Sequence, residues 1–214
     1  YLCEGENIVL VHSVYESPNT RWYSGAGIFR NVYLRITNKS HIVENGVYIS
    51  AKKEAEKWLV TIETETTGCD YSVRHTVFNE KNKIAAILNG KLVDNKSVLR
   101  FYAENPNVWD IDNPYCYNVK TELINNEITV DEVTNTFGFR TTEFSPDRGF
   151  LLNGRSLKIH GVCMHHDLGA LGAAVNTAAL KRQLEILKSF GVNSVRTSHN
   201  MPARELIDLC NHMG

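Results

Sequence analysis

No uninterrupted apolar run in this chain of 214 residues approaches the ~20 residues that span a bilayer as a helix. No basic run stands out either, and the formal net charge is −1. Neither a membrane nor nucleic acid is therefore expected as a partner. The opening YLCEGENIVLV lacks a Met, a basic n-region and a small-residue cleavage site. The expectation is that the chain enters mid-strand rather than at a natural start. Its compartment, bacterial periplasmic or secreted or cytoplasmic, stays open. CxxC spacing is absent, and five cysteines (Cys3, Cys69, Cys116, Cys163, Cys210) are scattered and odd in number. That points to separate buried or free thiols rather than a disulfide framework or a zinc site. Internal repeats and low-complexity segments are missing too.

What is present suffices for one large domain or two small ones with a sizeable core. Two apolar runs, Ile8–Val11 and Ile28–Ile36, flank ESPNTRWYSGAG, whose Pro18-Asn19, Gly25 and Gly27 supply turn chemistry. They read as two strands with a long connection, too few to form a core alone. Residues 38–142 read as all-β. Trp58, Val60 and Ile62 share one parity and predict a half-buried face; Tyr71, Val73, His75 and Val77 give another strand. Asn45-Gly46 marks a turn, and Asn89-Gly90 after Ile84–Leu88 is a hairpin signal. Val98–Tyr102, Tyr115–Leu123 and Glu127–Phe137 follow. About seven short strands over about 100 residues suit an immunoglobulin-like sandwich, although the antibody-type Cys–Trp–Cys pattern is lacking.

After Phe139 the texture changes. A hairpin turning at Asn153-Gly154 leads into Lys158–Met164, which ends in His165-His166; Asn193–Thr197 is followed by Ser198-His199. Between them Leu180, Leu184 and Leu187 recur at helical spacing behind a cap at Asn176, and Gly191 fits the helix stop. Strand, helical crossover and strand make a right-handed βαβ unit with parallel strands. Pro202, Leu206 and Leu209 predict a second helix, Ala203–Met213. Two βα units are thus present, where a barrel needs eight.

Chemistry in parallel sheets gathers where the strands end. His165 is there, and the residues alone leave two readings open: a strand-end histidine bonded to backbone or water, or a group facing a ligand. Arg196 lies within the second strand, where burial would demand a paired anion. His165, His166, Asp167 and His199 invite a metal, yet neighbours on an extended segment point to opposite sides, so no metal site is expected. Gly169 and Gly172 bound a small-residue loop unlike a phosphate cradle. Trp22, Trp58 and Trp109 are candidates for stacking on a ligand. Trp58, however, belongs to the alternating core face. Asn38-Lys39-Ser40 and Asn95-Lys96-Ser97 match the common glycosylation sequon.

GFLLNG, GVCMHHDLGALG and GVNSVRTSHN resemble the opening of the catalytic barrel of glycoside hydrolase family 2. TRWYSGAGIFRNVYL (Thr20–Leu34) resembles the end of that family's N-terminal sugar-binding sandwich. NPNVWDIDNPYCY with FGFR resembles its middle immunoglobulin-like domain. The blocks fall in the family's order and span nearly the whole chain.

The resemblance implies an internal fragment: residues 1–37 as the last strands of a jelly roll, 38–142 as an immunoglobulin-like β-sandwich, and 143–214 as the start of a (β/α)8 barrel. It implies a mainly β chain whose parent is a retaining exo-β-glycosidase, most like a β-galactosidase, with a β-glucuronide or β-mannoside as alternative substrate. The partner implied is a carbohydrate with a terminal β-linked sugar. His165 and His199 match sugar-contacting histidines, with Asp167 and Asn200 as further substrate-binding candidates. For Asp167 the alternative is shaping its loop, and for Asn200 it is capping the following helix. Arg196 is implied to orient the nucleophilic glutamate. Trp109 would be buried, and Trp22 would pack between sandwich and barrel. Where many relatives carry an aspartate, Val14 stands here.

Retaining chemistry needs two carboxyl groups about 5–5.5 Å apart. The family places both as glutamates on later barrel strands, and no such pair is evident. Glu143, Glu185, Glu205 and Asp208 read as hairpin or helix-surface charges. No catalytic residue is therefore expected in the chain, which alone should be inactive. No cofactor is expected, a cation or a homo-oligomeric state of the parent being compatible with the resemblance. The competing reading is a non-catalytic immunoglobulin-like module that binds carbohydrate or protein, which residues 38–142 alone would permit.

Overall fold

The computed structural model describes residues 3–16, 27–199 and 201–214. Seven strands build two antiparallel sheets: β1 (Ile42–Glu54), β2 (Lys57–Thr66), β3 (Ser72–Phe78), β4 (Ile84–Lys91), β5 (Lys96–Glu104), β6 (Tyr117–Asn125) and β7 (Ile128–Phe137). The sheet orders are β1-β2-β5 and β4-β3-β6-β7. Period-two alternation drives the stacking. Along β2, Trp58, Val60 and Ile62 are buried while Glu63 and Glu65 stay in solvent. They meet Val77, Val119, Phe137 and Phe139 in one core cluster, with the Trp58 and Phe139 rings edge to face at 5.4 Å. Full burial of each such side chain is worth roughly 1.5–3 kcal/mol. This is the immunoglobulin-like sandwich expected from the alternation.

Two turn signals act differently from expectation. Asn45 has φ 56° and lies inside β1, at a register shift between Ile42 and Val47, so Asn45-Gly46 makes a bulge rather than a turn. Asn89 and Gly90 lie within β4, paired with Arg74 and Val73. The chain instead turns at Asp94 and Asn95, both left-handed, and crosses to the other sheet. Gly90 is needed for close approach: a Cβ there would come within 2.7 Å of the Leu99 side chain.

Asn153-Gly154 does form a turn. It joins β9 (Gly149–Leu152) to β10 (Arg155–Ser156), with β8 (Thr142–Ser145) on the other side of β9. Both turn residues are left-handed, φ 52° and 76°, as a two-residue type I′ connection requires. Trp109 ties the sandwich to the segment beyond. Half-buried under Arg140, whose guanidinium lies 4.8 Å from its ring centroid, it donates Nε1–H to the Asn211 carbonyl at 2.6 Å. Asp110 pairs with Arg155 at 2.5 Å.

The βαβ unit follows as β11 (Gly161–Met164), α1 (Thr177–Ser189), β12 (Ser194–Thr197) and then α2 (Arg204–Met213). The strands are parallel, with Cys163 opposite Arg196. The Asn176 side chain accepts from Ala179 N at 3.0 Å and caps α1, while Gly191 at φ 83° ends it. Leu180 and Leu184 of α1 and Leu206 of α2 form a cluster covering Met164 and Val195 on one face of the strand pair. Gly161 and Cys163, Ser194 and Arg196 occupy the opposite parity and face away from the helices.

Among the described residues, the runs Ile8–Val11 and Ile28–Ile36 pair with no strand, and Ile8, Val9, Leu10, Leu34 and Ile36 are each at least 83 % exposed. Trp22 lies outside the described residues. No helix is long and apolar enough to cross a membrane among them. All five cysteines are free.

Candidate functional site

The two parallel strands release their side chains at one end. His165 follows β11 and His199 lies two residues after β12, their rings edge to face with centroids 5.8 Å apart. The register explains the meeting. Met164 is paired with Thr197, and Ser198 N donates to the Met164 carbonyl at 2.9 Å, so both loops leave the sheet at one level. His165 is half-buried and His199 exposed. The Ser198–His199 peptide is cis.

Arg196 stands one step before this end on the open face. Its Nη1–H donates to Ser198 Oγ at 3.0 Å and approaches Cys163 Sγ at 3.8 Å, while Nη2 lies 3.4 Å from His199 Nδ1. Being exposed, it carries no burial penalty here. It instead links both strands and one histidine by donor contacts. The guanidinium, and after it the Ser198 hydroxyl, hold the Cys163 thiol below its usual range, with desolvation acting the other way.

Asp167 is tied into its own loop. Its Oδ1 accepts from Gly169 N at 2.8 Å, and its carbonyl accepts from Gln183 Nε2 at 3.0 Å. The loop-shaping role is thus visible, and Asp167 lines one hollow together with His165. His166, at φ 56°, turns to a different cavity, lined with Leu168, Ala174, Leu180 and Gln183. The two adjacent histidines therefore line separate hollows. Among the described residues, no group of three or more His, Cys, Asp or Glu side chains is placed to hold a metal ion. Asn200 lies outside the described residues.

Sequence reasoning missed three participants. Cys163 becomes a neighbour of Arg196 only once the register is known, and Ser198, two residues on, carries no signal of its own as its partner. Glu205, read as a helix-surface charge, is half-buried at the start of α2 and accepts from Asn31 Nδ2 at 2.8 Å. Partners 174 positions apart leave no local signal. Trp58 and Trp109, two of the aromatic candidates, are engaged in the core and in the Arg140 stack.

Comparisons with known proteins bear on this arrangement. Residues 40–140 match the profile described as Glycosyl hydrolases family 2, and residues 146–214 match Glycosyl hydrolases family 2, TIM barrel domain. A beta-galactosidase, BoGH2A of Bacteroides ovatus, is 43% identical over 93% of this chain and 25% of its own length. A beta-glucuronidase of Streptococcus agalactiae is 29% identical over 92% of this chain and 31% of its own. The crystal structure of a beta-glycosidase from Bacteroides vulgatus superposes with a TM-score of 0.85 at 37% identity, over 91% of this chain and 26% of that one. The chain spans about a quarter of the length of the curated relatives it matches.

Proposed function

This chain belongs to glycosyl hydrolases family 2, and from that premise we propose that it forms part of a retaining exo-β-glycosidase acting on terminal β-linked sugars. A β-galactoside is the favoured substrate, supported by the identity to the Bacteroides ovatus β-galactosidase. A β-glucuronide is the principal alternative, since a related chain is a β-glucuronidase, and a β-mannoside is the third. We assign residues 1–37 to the end of a sugar-binding jelly roll, 38–142 to the sandwich and 143–214 to the opening of the barrel.

The observation carrying the proposal is the meeting of His165 and His199 at the ends of two parallel strands, beside Arg196. Two imidazoles at right angles offer donor or acceptor nitrogens toward the hydroxyls of one pyranose, according to tautomer. Asp167 and Asn200 complete the sugar-binding set. Arg196 is proposed to orient the nucleophilic carboxylate, its permanent charge and fork suiting bidentate contact. Retention requires that nucleophile and an acid/base carboxyl about 5–5.5 Å apart. Both are assigned to parts of the protein outside these 214 residues, so the chain alone is expected to be inactive.

The test is hydrolysis of a panel of nitrophenyl β-glycosides by this chain and by a longer product of the same reading frame. Activity in the longer product only, with KM raised about tenfold by His165→Ala, as loss of one buried polar contact implies, supports the proposal. Turnover by the 214-residue chain itself, abolished by that substitution, would overturn the assignment of the carboxylates.

A further inference from the structure

The loops that carry His165 and His199 are joined by a third segment, remote in sequence from both. Phe29 O accepts from Val175 N at 2.9 Å, at the far end of the loop that begins with His165. The next residue, Arg30, donates from Nη2 to the Met201 carbonyl, in the loop that follows His199. Asn31 Nδ2 donates to Glu205 Oε1 at 2.8 Å, in the first turn of α2, and to Tyr33 Oη at 3.0 Å. Tyr33 Oη donates to the same carboxylate oxygen at 3.4 Å. Five residues, Phe29–Tyr33, therefore hold both β-to-α loops of the candidate site.

The physical case rests on where each loop is otherwise held. The first loop is closed on itself by Leu168 N to Gly172 O at 2.8 Å and by the Asp167–Gly169 contact. Those bonds fix its tip but not its distance from the second loop. The second loop is short, and among the described residues its backbone is tied to β11 at its start, through Ser198 N. Between the loops, the segment 29–33 supplies one backbone bond and three charge-assisted ones, one to a carbonyl and two to a carboxylate; the latter kind is about twice as strong as neutral pairs.

We propose that Arg30, Asn31 and Glu205 are positioning residues: the strap Phe29–Tyr33 sets the spacing between the His165 and His199 loops, and so the affinity of the site for its sugar. The consequence for sugar rests on the glycosidase reading above; the mechanical coupling does not. Glu205 touches no sugar. It acts through Asn31, which anchors the strap, and the strap in turn holds Val175 and Met201.

Amide hydrogen exchange of the 214-residue chain tests the coupling. Glu205→Ala and Asn31→Ala are expected to speed exchange at least about tenfold at Val175, Met201 and Ala203, the loss of one or more charged hydrogen bonds. Glu205→Gln should stay within about twofold, because its amide oxygen still accepts from Asn31. Amides of β2 and β6 report on folding and should not move. Unchanged exchange at Val175 in both alanine variants overturns the strap, since the N–H of Val175 is the group bonded to Phe29 O. The functional arm uses the longer product of the reading frame with nitrophenyl β-galactoside. Glu205→Ala should raise KM about tenfold with kcat within about twofold, and Glu205→Gln should restore KM. An unchanged KM, or a fall confined to kcat, overturns the positioning role. Absence of hydrolysis by the unsubstituted longer product refutes the glycosidase reading instead, and the exchange result then decides the strap alone.

Discussion

His75 makes the stability of the sandwich depend on pH, with a sign and size that follow from its surroundings. The side chain is fully buried on β3, with Nδ1 3.0 Å from Thr121 Oγ1. Its Nε2 meets no hydrogen-bond partner among the described residues. A charged imidazolium would place a second N–H donor, and a charge, against Val73, Val77 and their neighbours. Burial accordingly lowers the histidine from 6.5 to about 4. The unfolded chain, near 6.5, takes up a proton before the folded one does, so stability is full above that value and is lost as pH falls toward 4. The gap of about 2.5 pH units corresponds to about 3.4 kcal/mol at its limit, of which about 2 kcal/mol is lost by pH 5. Urea unfolding followed by tryptophan fluorescence at pH 7.5 and pH 5 measures this. Other carboxylates titrate as well, so His75→Leu is the reference: it lacks the group while approximating its volume. Wild type should lose about 2 kcal/mol more than the variant across that interval. Parallel pH profiles for the two proteins would show that His75 takes up its proton as easily folded as unfolded, and would refute the reasoning.

Asn176→Ala should destabilise α1 by about 1 kcal/mol and Asn176→Ser by less, because the hydroxyl still accepts from Ala179 N; denaturation by urea of the 146–214 region, read by exchange at Leu180 and Leu184, checks both. β11 and β12 each keep an unpaired edge among the described residues, and exposed parallel edges promote association. The chain is therefore expected to self-associate through residues 143–214, and a sharp monomer peak in light scattering with protected amides there would refute this.

The sequence carried the sandwich because its signal is local. Alternation along Trp58–Thr64 and Val73–Val77 reports burial residue by residue, and the observed core follows it. Asn176, Gly191 and Asn153-Gly154 were legible for the same reason: a cap or a left-handed turn is specified by one or two residues. Asn45-Gly46 and Asn89-Gly90 show where local chemistry stops deciding. The same dipeptides can serve as a bulge or as a small residue under Leu99, and the choice belongs to the facing sheet. At the candidate site, His165 and His199 were legible as strand-end residues. The approach of Cys163 to Arg196 and the partner of Glu205 were not, since register and a contact across 174 positions set them.

Arg196 shows what the open face of the strand pair requires. Val162, Met164, Val195 and Thr197 share the helix-facing parity, while Cys163 and Arg196 point the other way. In a closed parallel barrel that second parity is the packed interior. A guanidinium cannot lose its charge there, and removing it from water costs several kcal/mol unless an anion and further acceptors meet it. Its contacts among the described residues are to Cys163 Sγ, Ser198 Oγ and His199 Nδ1, none of them a carboxylate. A carboxylate from another strand is therefore what the position demands on closure, which is the role the proposed function gives the nucleophile. The same guanidinium, held against β11 through Cys163 and against the second loop through Ser198, would then fix that carboxylate relative to both histidines.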